Sequence, residues 1–192
     1  MTTTKIKRPR KWPENEDRFR ELILYICQKC ATHSRFGATK LNKLLYFCDF
    51  MAYLRLGDPI TGFEYQREKN GPVPTRLVPF REQMKKAGEL AIQPVRLPDG
   101  RIQLRHVNLR EPKLEVFSSK QMALIDEMIE YLKNKDAEAV SDLTHTMVGW
   151  QVVDPGEQIP YETAFVSTGP PSEADIVRAK EFARERSEHG RQ

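Results

Sequence analysis

Apolar residues near the start of the chain recur at steps of three and four, the period of a helix with one buried face. Phe19, Leu22, Ile23, Ile26, Cys27 and Cys30 make one such stripe; Asn15 precedes it as a cap, with Glu16 and Asp17 favourable in the first turn. After Gly37 and Thr39 a second stripe holds Leu41, Leu44, Leu45, Cys48, Met51 and Ala52, widened by Phe47 and Leu54, so this helix is expected to be the most enclosed. Gly57 followed by Asp58-Pro59 stops it. The period then changes to two. Phe63 and Tyr65 alternate with Glu64 and Gln66, which predicts a short strand over residues 61–67.

Asn70-Gly71-Pro72-Val73-Pro74 reads as a turn, because Asn-Gly favours positive φ and the prolines remove two donors. A short helix is expected over 75–87, ended by Gly88. A hairpin follows, with strands 92–97 and 102–109 around Pro98-Asp99-Gly100. Ser118 and Gln121 form a capping box ahead of Met122, Ile125, Met128, Ile129 and Leu132. A shorter helix runs from Asp136 to about Met147. Residues 149–167, with Trp150, Pro155, Pro160 and Tyr161, read as an extended connection. Ser172 and Asp175 open a last helix carrying Ile176, Val177, Phe182 and Ala183. The expected class is α+β, mostly helical, with about six helices and a small antiparallel sheet of about three strands.

Charge divides the chain. The formal net charge is +4, from 31 basic and 27 acidic residues, yet residues 1–13 hold Lys5, Lys7, Arg8, Arg10 and Lys11 and no acid. Without those five, 26 basic residues face 27 acidic ones. The excess belongs to a terminal arm, and the body lacks the basic surface of a general phosphate binder. The expected organisation is a flexible basic arm over 1–13, one domain over 14–170, and a C-terminal helix with a charged tail over 171–192. The apolar runs Leu22–Cys27 and Leu44–Cys48 are far shorter than the roughly 18 residues of a membrane span. The basic start is followed by no apolar signal region, so the expected location is cytoplasmic, with no membrane contact.

Candidate chemistry is sparse. The glycine-rich phosphate loop, Gly-x-Gly-x-x-Gly, His-Glu-x-x-His and Gly-x-Ser-x-Gly are all absent. Cys27-x-x-Cys30-x-x-His33, with Cys48 as a fourth candidate, has the residue types of a zinc site. Both spaced cysteines sit on the apolar stripe, however, where cysteine serves as a small hydrophobe. No metal, no cofactor and no redox pair is therefore expected. His145 beside Asp142 is weighed as a general base against a ring that pins Gly149-Trp150 by a hydrogen bond; the second is preferred, because no nucleophile or oxyanion donor stands beside it. For Lys5–Lys11 two readings stand, a solvated arm and a nucleic-acid contact. Trp12, Trp150 and Tyr161 lie beside prolines as lids or partner anchors.

Lys40-Leu41-Asn42-Lys43-Leu44-Leu45-Tyr46-Phe47, then Gly71-Pro72-Val73-Pro74, then Leu143-Thr144-His145 followed by Trp150, resemble in order and spacing the signature of the SocA-like (Panacea-domain) antitoxins. The chain departs from that pattern at Asn70, where many members carry an aromatic residue. The resemblance implies a phage- or prophage-associated antitoxin, not an enzyme. It would neutralise a cognate toxin, often translation-targeting and encoded in the adjacent gene, by direct protein contact or by delivery to a protease. On this basis Tyr65, Asn70, Pro72, Pro74, Arg76, Arg81, Trp150 and Tyr161 are the candidate partner-binding residues. The alternative is a transcriptional regulator that binds nucleic acid through the basic arm.

Overall fold

In the computed structural model, which describes residues 11–166, the Asn15 side chain accepts a hydrogen bond from the Arg18 amide and starts α1, Glu16–Lys29. The long helix α2, Ala38–Leu56, ends at Gly57 in the left-handed conformation. It is enclosed almost all round. Besides its leucines and aromatics it buries Lys40, Lys43 and Asp49. Next come α3, Leu77–Lys86, and α4, Ser119–Leu132, whose Ser118–Gln121 capping box is complete. α5, Ala137–His145, is capped by Asp136; α6 covers Val148–Val152.

The α+β, mostly helical class holds, with the strands divided between two sheets. β1, Tyr65–Gln66, pairs antiparallel with β2, Val73–Pro74, and with β5, Gln158–Ile159. β3, Leu90–Arg96, and β4, Ile102–Asn108, form a separate hairpin that packs against α1 and α3. The strand expected over 61–67 is confined to two residues, because Thr61 turns its amide and hydroxyl to Asp49. The segment read as an extended connection instead contains α6, β5 and a 3-10 turn over Tyr161–Phe165. The helix expected from Ser172 lies outside the described residues, as do residues 1–10 of the basic arm. Residues 11–13 are docked: Trp12 is 8% exposed and meets the Tyr53 ring edge-on at 5.6 Å, so it is a lid on the core.

One core runs through the body. Phe19 stacks on Phe63 at 3.8 Å and meets Phe80 edge-on, joining α1, the approach to β1, and α3. Leu124, Ile125, Met128 and Ile129 of α4 belong to the same cluster as Leu41, Leu44, Leu45 and Cys48 of α2. Cys27, Cys30 and Cys48 are buried free thiols within it, and burial pushes the Cys30 thiol up to about 11.

Candidate docking site

The turn between β1 and β2 is the point on which distant parts of the chain converge. Gly71 has φ +96, and a Cβ placed on it would lie 2.3 Å from the Thr144 hydroxyl and 2.6 Å from the Lys43 nitrogen. Only glycine allows α2, the turn and α5 to approach so closely. The Lys43 Nζ donates to the Pro72 carbonyl at 3.1 Å. Burial brings its pKa down to about 7, since a charged ammonium without water is disfavoured. Thr144, fully buried, donates its hydroxyl to the Ser141 carbonyl at 2.7 Å. The turn closes on itself through Gly71 N–H to Glu68 O at 2.8 Å and Thr75 N–H to Glu64 O at 2.9 Å.

Trp150 holds the other side. Its indole N–H donates to Glu68 O at 3.1 Å, the Arg67 guanidinium lies 4.2 Å from its ring, and the His145 imidazole stacks 4.0 Å away on the ring. The expectation that the His145 ring pins Gly149-Trp150 by a hydrogen bond is corrected. The imidazole lies flat on the indole, with an interplanar angle of 25°, and the Gln151 side-chain amide instead binds the His145 carbonyl at 3.0 Å. Arg67 also donates to Val153 O, tying β1 to the end of α6.

Behind the turn lies a buried polar cluster. Asp49 accepts from the Thr61 amide at 2.7 Å, from the Thr61 hydroxyl, and from the Tyr65 hydroxyl at 2.8 Å. Complete burial raises the Asp49 carboxyl to about 6, while the hydrogen bonds from Thr61 and Tyr65 pull the other way. Between the ordinary value of 3.8 and about 6 the folded state therefore holds a proton that the unfolded chain has released. Stability is expected to fall by about 3 kcal/mol as pH rises through that window, and then to level off. Thermal unfolding of the protein and of Asp49→Asn between pH 4 and 7 checks this. The difference between the two should change across the window, and parallel profiles would contradict it.

The family model described as Antitoxin SocA-like, Panacea domain, matches residues 41–151. The chain belongs to this family. No curated protein and no solved structure gives a match. The Panacea match starts in α2 and ends in α6, so it encloses the turn, Lys43, Thr144 and Trp150; α1, β5 and Tyr161 lie outside it.

In this Panacea-domain protein the eight candidate contact residues fall into three groups. Asn70 is exposed at the tip of the turn, and Trp150 is half-buried beside it. Tyr65, Pro72, Pro74 and Tyr161 are buried and support the turn from within; the Tyr161 hydroxyl donates to Phe63 O at 2.6 Å. The arginines differ from each other. Arg76 is exposed but engaged, bonding Glu14 and, at 2.6 Å, Glu16. Arg81 turns inward, with a nitrogen 2.8 Å from His106 Nε2, and burial lowers the pKa of both, that of His106 to about 4. Arg81 is thus engaged with His106 and does not join Asn70 at the exposed tip of the turn.

Sequence reasoning passed over Lys43, Asp49, Thr144 and Arg67 as site residues. The available signal for two of them was a charge set among the apolar residues of α2. It also passed over Val78, 61% exposed on α3, and Val152, 66% exposed on α6. Among the described residues no cluster of three or more His, Cys, Asp or Glu is placed to hold a metal, and no helix is long and apolar enough to cross a membrane.

Proposed function

We propose that this Panacea-domain protein neutralises a cognate protein toxin in the cytoplasm by direct binding, without catalysing a reaction. The docking rim is formed by Asn70, Thr75, Arg76 and Val78, with Trp150 at its side. The observation that carries this reading is the convergence of the three signature segments on one turn, fixed by Lys43, Thr144 and Trp150. A rim held so firmly loses little ordering entropy on binding. Its exposed residues mix polar groups with the apolar Val78, as expected for a protein-binding patch. Binding there would block the toxin's active site or present the toxin to a protease.

The test is co-expression with the product of the adjoining reading frame. The protein should restore growth, whereas Asn70→Glu combined with Val78→Glu should abolish rescue and leave the thermal midpoint within about 2 °C, since both side chains are exposed. Full rescue by the double variant would remove this rim from the mechanism.

A further inference from the structure

Two lysines of α2 are buried to the same degree, each 1% exposed, but they are satisfied differently. Lys40 donates to two carbonyls, Lys133 O and Lys135 O, both at 2.8 Å, where α4 has just ended. Such a bond pair closes orphan carbonyls and serves the fold. Lys43 donates to Pro72 O, at the longer distance of 3.1 Å, and it lies on α2 between Asn42 and Leu44. Desolvation is the sole cause of its lowered pKa, so no charged side chain offsets its burial. An unbranched apolar side chain of similar length would fill the same space without this penalty.

The amine does supply a directional bond to the turn. Pro72 and Pro74 carry no N–H, so the turn has few backbone bonds with which to fix itself. The Pro72 carbonyl is held from α2 by this side chain.

We propose that Lys43 is a positioning residue for the docking rim, retained for partner binding and not for folding stability. It holds the Gly71–Val73 backbone in place, and with it the exposed Asn70 that precedes this stretch. This rests on the docking role proposed above, and a merely structural lysine would behave differently.

The experiment compares the full chain with Lys43→Met and Lys43→Gln at pH 7. Lys43→Met loses the bond to the buried Pro72 carbonyl but also the cost of burying the amine, so the thermal midpoint should stay within about 5 °C of the native value. Amide hydrogen exchange at Lys69, Asn70, Gly71, Val73 and Thr75 should quicken at least about tenfold, and affinity for the adjoining frame's product should fall about tenfold or more. Lys43→Gln keeps an N–H donor and should restore slow exchange. The pH profile gives a further signature. Above about pH 7 the folded chain has released a proton that the unfolded chain keeps up to about 10.5, so the native protein should gain on Lys43→Met as pH rises through that interval.

Unchanged exchange at the turn would overturn the proposal, as would failure of Lys43→Met to fold, because stability is not what the amine supplies. Quickened exchange with unchanged affinity would leave the amine's hold on the turn intact and refute the docking role, so the two failures are distinguishable.

Discussion

Gly71→Ala is expected to cost about 3–5 kcal/mol, a large effect for a single added methyl group. Two penalties combine. At φ +96 an L residue is strained whatever the space around it. The added carbon would also lie 2.3 Å from Thr144 Oγ1, 2.6 Å from Lys43 Nζ and 2.8 Å from Lys43 Cε. Neither neighbour can yield easily, because both are buried and both are hydrogen-bonded. The turn would have to lift, breaking the bond to Pro72 O and disturbing the β1–β2 pairing of Tyr65 with Pro74. Gly57 provides the control. Its φ is +90, but a Cβ there meets nothing within 4 Å, so Gly57→Ala should show the backbone penalty alone, about 1 kcal/mol. Urea midpoints of the two variants give the comparison, and equal losses would mean that the turn is not clamped between α2 and α5.

Arg110→Met is expected to destabilise the protein by about 3–5 kcal/mol through a different route, the stranding of a buried charge. Glu21 on α1 is 4% exposed and receives Arg110 in a bidentate pair at 2.7 and 2.8 Å, with the Lys113 amide as a third donor at 2.8 Å. Burial alone would raise its pKa, but the hydrogen bonds from Arg110 and Lys113 outweigh it, and the net shift is downward. The contribution is therefore present above the unfolded value of about 4.5 and lost as pH falls through the lower folded one. Arg110 also binds Glu89 at 3.0 Å, and Glu89 pairs with Arg20, so the network staples the base of the β3–β4 hairpin to α1. Adding Glu21→Gln to Arg110→Met should recover part of the loss, because the stranded carboxylate is gone. Calorimetry of the native protein and the two variants at pH 7 decides it. A double variant no better than Arg110→Met alone would assign the loss to packing of the arginine stem.

Local signals made α1 to α5 legible, though not the short α6. The caps Asn15, Ser118 with Gln121, Asp136 and Gly57 each act within a turn of their own position, and each does so in the folded chain. The hairpin was likewise visible in Pro98-Asp99-Gly100. Pairings between distant segments were not. β5 is two residues in a proline-bearing stretch and becomes a strand only because Tyr65 pairs with Ile159. Of the site, the signature marked the turn, His145 and Trp150, but it could not tell support from surface. Pro72, Pro74 and Tyr65 proved to be internal, and Arg81 points to His106, which no spacing along the chain foretells. Lys43 and Asp49 stood in an apolar stripe, where a lone charge can equally mark a solvated edge. Only the packing shows them buried.

The most direct test of the proposed docking is a hydrogen-exchange footprint of this antitoxin-family protein with and without the adjoining frame's product. Residues 68–81 should gain protection on binding, together with Trp150, while the hairpin tip at 97–101 keeps its free exchange rates. Protection confined to other parts of the surface, with 68–81 unchanged, would contradict a docking rim built on the Lys43–Gly71–Thr144 clamp.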